Sequence, residues 1–107
     1  MLEAGHNIDA RDSGGHTPLY HSAWQKRAKV CQLLLDLGAD KELGSLSEDT
    51  PLHIAAWVGS DQVCQILVDN GARMDVRDIA GRTPLNIAKS QGHEEVVRVL
   101  ASVKHSA

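Results

Sequence analysis

The chain has 107 residues, room for one small domain. Eleven Lys and Arg against fourteen Asp and Glu leave a formal charge of −3, the wrong sign for a general nucleic-acid binder. Hydrophobic residues make up 42% and charged residues 23%, ordinary globular usage that argues against disorder, and with no Phe the core must come from Leu, Ile, Val and Ala.

In chain order, the first punctuated element begins at Thr17, whose hydroxyl can cap orphan helical amides, with Pro18 suited to the first helical position. A short helix follows to about Gln25. A second is expected from about Ala28, with Val30, Leu33, Leu34 and Leu37 on one face at spacings i, i+3, i+4 and i+7. Gly38 can take the left-handed conformation that ends it. The pattern restarts at Thr50-Pro51-Leu52, with Val63, Ile66, Leu67 and Gly71, and again at Thr83-Pro84-Leu85, with Val96, Val99, Leu100 and Val103. Both intervals are 33 residues. Residues 12–44 and 45–77 share 12 identities in 33 positions, where chance supplies about two at ordinary residue frequencies. Polar stretches such as 75–82 separate the units, and Gly81 can supply a positive φ there.

This period, and above all Thr50-Pro51-Leu52-His53-Ile54-Ala55-Ala56, resembles the ankyrin repeat family with its T-P-L-H-x-A signature. The resemblance implies an all-α solenoid of stacked helix-turn-helix units with projecting β-hairpin loops and a concave face. One domain over 1–107 is expected, divided into repeats 12–44, 45–77 and 78–104, with 1–11 the tail of a partial repeat because Gly5 precedes Gly38 by one period. It also implies that the His53 ring bonds the neighbouring turn. Departures stand out against the family pattern. Lys26 and Glu48 occupy places where a turn glycine is usual, at roughly 1–2 kcal/mol for a side chain held left-handed. Tyr20-His21-Ser22 replaces His, an aliphatic and Ala, and Lys41-Glu42 replaces an apolar entry to the next hairpin.

A repeat cannot bury its apolar face alone. Glu94, Glu95, Arg98 and Lys104 make the last helix a polar cap, while the amino end starts inside what reads as a second helix. The expectation is a segment of a longer array, or self-association through the incomplete amino-terminal end. The longest apolar run, Ile54 to Val58, is five residues, far from the roughly 20 that span a bilayer. No basic-then-apolar leader opens the chain. An intracellular location, cytoplasmic or nuclear, with no membrane partner is expected.

Motifs for phosphate cradling or a nucleophile elbow are absent, so no enzyme activity and no cofactor are expected. Cys31 and Cys64 lie one period apart, and helices packed 8–10 Å apart cannot bring their Cα atoms within the about 7 Å of a disulfide, which makes them core-filling thiols. His16 and His21, five apart across a helix start, are too loosely placed for a metal pair, and His6, His93 and His105 read as surface or turn residues.

Trp24 and Trp57 are also 33 apart. The resemblance puts them on the concave face, side by side; core packing is the competing reading, weakened because Leu19, Ala23, Leu52 and Ala56 already occupy packing positions. Paired exposed indoles would mark an interaction surface. Gln25 and Val58 flank them, with Ser90 and Gln91. Tip residues His16, Leu46, Asp49, Arg77, Ile79 and Arg82 complete the candidate partner-binding set. The expected function is a non-catalytic module holding a protein or peptide partner. The alternatives are a structural spacer in a longer array and a reader of a cationic methyl-lysine peptide gripped between the indoles, with Asp49 or Glu48 as counter-charge.

Overall fold

The computed structural model describes residues 7–102, so the expectations for Gly5, His6, Val103, Lys104 and His105 lie outside the described residues. Six helices follow one another: α1 (Pro18–Trp24), α2 (Ala28–Asp36), α3 (Pro51–Val58), α4 (Asp61–Asp69), α5 (Pro84–Gln91) and α6 (Glu94–Ser102). The first helices α1, α3 and α5 stack as one layer, and α2, α4 and α6 as a second behind it. The threonines start the inner layer as expected. Thr17, Thr50 and Thr83 hydroxyl oxygens accept from the amides of Tyr20 at 3.1 Å, His53 at 3.4 Å and Asn86 at 3.2 Å, and each is followed by Pro at the helix start.

Between helix pairs the chain runs out to tips at 12–16, 45–49 and 78–82. Each tip is closed by a backbone bond from its first to its fifth residue, Asp12 N–H to His16 O at 3.1 Å, Ser45 to Asp49 at 2.9 Å and Asp78 to Arg82 at 2.9 Å, and by a second that returns from Gly15, Glu48 or Gly81 N–H to the first residue's carbonyl. Tips are also joined in series. Leu46 N–H donates to Gly14 O at 3.1 Å, and Ile79 N–H to Ser47 O at 3.0 Å, the same bond one period on. The expected hairpins are thus turn-closed tips, with no strand among the described residues.

Small side chains let the layers approach. Leu19, Ala23, Leu52, Ala55, Ala56, Ile87 and Ala88 are buried in the inner layer, and Cys31, Val63, Cys64, Leu67, Val96 and Leu100 in the outer one. Both cysteines are free thiols, and burial pushes Cys31 up and Cys64 to about 12, leaving them protonated and inert at neutral pH. The apolar face of α2 is largely open to solvent. Val30, Leu33 and Leu37 are 42%, 56% and 59% exposed and Leu34 is half-buried, while Cys31 carries the burial. The reason is the number of neighbours: α4 packs between α2 and α6, whereas α2 meets only α4 in its layer among the described residues.

Lys26 (φ 59) and Glu48 (φ 64) do adopt left-handed backbone, where Gly59, Gly92, Gly15 and Gly81 stand in the sister units. Glu42 has a purpose. Its Oε2 accepts from Arg73 N–H at 2.9 Å, as Asp9 Oδ1 accepts from Asp40 N–H at 2.9 Å one period earlier, so a carboxylate entry residue staples consecutive units.

Candidate partner-binding groove

The tips share one device built from two positions four residues apart. Asp12 Oδ1 accepts from the amides of Gly14 at 3.0 Å and His16 at 2.8 Å. Asp78 Oδ1 does the same for Ala80 at 3.0 Å and Arg82 at 2.9 Å, and its Oδ2 accepts from the Arg82 guanidinium at 3.0 Å. In the middle tip the polarity reverses. Ser45 Oγ accepts from Ser47 N–H at 3.1 Å, and its hydroxyl donates to the Asp49 carboxylate. The fourth tip residue therefore varies in charge (His16, Asp49, Arg82) while the turn keeps its shape. Bonds from the His16 amide and the His21 ring hold the Asp12 carboxyl well below the usual carboxylate range. For Asp78 burial works upward, but the Arg82 amide and guanidinium outweigh it and the net shift is down.

A second device ties α1 and α3 each to the tip that follows. His53 is buried, its Nδ1 accepts from Thr50 N–H at 3.0 Å, and the opposite nitrogen Nε2 donates to Arg82 O at 2.9 Å. One period earlier Tyr20 takes that place, and its hydroxyl donates to the Asp49 carboxylate. Burial and then this bond raise the Tyr20 phenol far above its ordinary range, so it serves as a donor. The bond expected for His53 is present, and Tyr20 makes its counterpart.

These devices frame a groove of about 560 Å³ running across all three tips. Six of the sequence-selected residues line it: His16, Leu46, Asp49, Trp57, Ile79 and Arg82. Leu46 and Ile79 are 72% and 73% exposed and Trp57 43%, an apolar rim over a floor with Ile54 and Ile87. The other four are placed elsewhere. Arg77 donates to Gly81 O at 2.8 Å and lines a separate hollow with Arg11, Glu42 and Glu48. Gln25 caps α1 in solvent, and Val58 ends α3 half-buried. Trp24 stands outside the groove lining, its ring 5.6 Å from His16 and 6.0 Å from both Tyr20 and His21.

The two indoles are exposed but not paired; among the described residues no ring contact joins them. Equivalent residues of stacked helices stand one packing distance apart, about 8–10 Å, which exceeds the 4.5–7 Å of aromatic contact. Trp24 joins the histidines of its own unit, and the Arg82 guanidinium lies 5.4 Å from the Trp57 ring centre. A cage for a cationic side chain is therefore not formed between them, and the protein's own cation covers one of the two faces.

Two features escaped the sequence reading. Tyr20 was legible, since it precedes His53 by one period. The meeting of His16 and His21 on Asp12 was not: spacing five across a helix start looks loose, yet both rings reach that carboxylate at 3.0 and 2.9 Å.

No helix among the described residues is long and apolar enough to cross a membrane. Residues 41–107 match a family model described as ankyrin repeats in three copies, and residues 14–44 match one described as an ankyrin repeat. No curated protein matches the chain.

Proposed function

The chain belongs to the ankyrin repeat family, whose members are generally protein–protein interaction modules, and on that premise we propose that it is a non-catalytic module holding a protein or peptide partner in the groove across its tips. The observation that carries this reading is the exposure of Leu46, Trp57 and Ile79 around one continuous groove, an apolar rim of the kind that marks an interaction surface. Trp57 is the natural anchor, since Trp is enriched at binding hot spots and the Arg82 contact already fixes its ring. Charges set register: Asp49 lies centrally, with His16 on one side and Arg82 on the other. A partner that supplies an extended apolar segment with a donor facing Asp49 fits this pattern. The same family membership argues for a role without catalysis, within a scaffold or regulatory chain and without a cofactor.

The test compares the chain with Leu46→Ser, Trp57→Ala and Ile79→Ser combined. Proteins captured from cell extract by the wild type are then titrated singly against both. The triple variant should weaken binding by about 100-fold or more while keeping its melting temperature, because the three side chains are exposed. Equal binding by both overturns the groove reading, and capture of nothing specific by either favours a spacer.

A further inference from the structure

We propose that Asp12, His16 and His21 form a site for a divalent transition-metal ion of the Zn²⁺ class at the edge of the first tip. His16 Nδ1 lies 3.0 Å from Asp12 Oδ1 and 3.3 Å from Oδ2, and His21 Nε2 lies 2.9 Å from Oδ2. One ligand atom from each residue falls within 4.8 Å of the others. A tetrahedral ion with ligands at about 2.0–2.2 Å holds neighbouring donor atoms about 3.3 Å apart, so the two nitrogens already sit near coordination distance from Oδ2. Two imidazoles and one carboxylate favour Zn²⁺, Ni²⁺ or Cu²⁺ over Mg²⁺ and Ca²⁺, which prefer all-oxygen cages.

The surroundings orient these ligands. Oδ1 is held by the Gly14 and His16 amides, and Oδ2, which takes no backbone bond among the described residues, lies within 3.3 Å of a nitrogen of each ring. The His21 ring lies nearly parallel to Trp24, at 10° and 6.0 Å, and the His16 ring leans on Tyr20 at 4.6 Å. Such outer contacts set ligand direction at metal centres.

The repeat supplies an internal control. The sister units carry Ser45, Asp49 and Ile54, then Asp78, Arg82 and Ile87, at the places of Asp12, His16 and His21. Asp78 closes its tip through the Ala80 and Arg82 amides and the Arg82 guanidinium, with no ring nitrogen bonded to its carboxylate among the described residues, so tip closure does not require either histidine. Among the described residues, three such donors converge only where the sequence departs from both sister units.

The test uses the untagged chain and ZnCl₂ alone, read by calorimetry, melting temperature and tryptophan emission in a Trp57→Phe background, so that the signal comes from Trp24. Expected are saturable binding at one ion per chain, a rise in melting temperature and a change in Trp24 emission, with no response to MgCl₂. His21→Ile installs the residue the sister units carry there and should weaken Zn²⁺ binding by more than about tenfold. Unchanged Zn²⁺ binding in His21→Ile, or no saturable binding by the wild type, overturns the proposal. Should His21→Ile fail to fold, ring resonances of the wild-type chain decide: shifts at both His16 and His21 on adding Zn²⁺ support the site, and unmoved rings refute it.

Discussion

The first and second helix pairs share their period and 12 of 33 residues, yet they are physically unlike. The second pair is enclosed. Pro51, Leu52, His53, Ala55 and Ala56 are buried in α3, and Val63, Cys64 and Leu67 in α4. Its turn is made of Gly59 in left-handed backbone and Ser60, whose hydroxyl caps α4 by accepting from Val63 N–H at 3.2 Å. The first pair has Lys26 in the left-handed place and Arg27 at the helix start, with no side-chain cap. Its outer helix shows Val30, Leu33 and Leu37 to solvent. The difference teaches that in a stacked array an identical residue has no fixed energetic value. The neighbour on each side assigns it.

The sharpest break of that comparison is a matched pair of truncations. Val30 and Val63 are the same residue one period apart, 42% and 0% exposed. Val63→Ala should cost about 2 kcal/mol in urea unfolding, from lost transfer energy and the cavity left behind. Val30→Ala should cost less than about 0.5 kcal/mol. Equal losses would show that α2 is as enclosed as α4.

A smaller effect repairs the first turn. Lys26→Gly removes the left-handed strain, partly offset by the greater freedom of glycine in the unfolded chain, and should stabilise by about 1 kcal/mol. Arg27→Ser, copying Ser60, should add a similar amount through its cap. The reverse change, Gly59→Lys, is expected to destabilise by more than either gain, because a Cβ there would fall 2.7 Å from His93 Nδ1. A thermal melt that leaves Lys26→Gly no more stable than wild type would place the strain elsewhere.

The smallest effect separates the tips by pH. In the folded chain the Asp78 carboxyl is held below its unfolded value, so its stabilisation is complete above the ordinary aspartate pKa of about 3.9. That stabilisation is lost as pH falls through the lower folded value. Asp78→Asn should therefore be less stable than wild type at neutral pH, with the gap closing as the medium becomes acid. Urea titrations across that range check it, and a gap that holds constant with pH would assign the loss to shape rather than charge.

Much of this protein was readable from residue order. The helix starts follow from Thr-Pro, because a hydroxyl and a missing N–H suit that place and no other, and each of the three threonines caps as expected. The period announced the stacking, and with it the burial of Leu19, Leu52, Ala23 and Ala56. Even the two strained turns, Lys26 and Glu48, were visible as the places where glycine was missing. Of the chosen binding residues, six came together in one groove, while Trp24, Gln25, Val58 and Arg77 did not.

What residue order left open are the properties that depend on two units at once. Periodicity marks which side chains share a row, but the distance between rows is set by backbone packing, and at that distance the two indoles stand apart. An apolar stripe marks a face that wants cover, but only the stacked helices decide that α4 has two neighbours and α2 one. His16 and His21 meet on Asp12 because the tip folds back over the start of α1, a closure that linear spacing does not display. Local chemistry is written in the chain; convergence from different elements belongs to the fold.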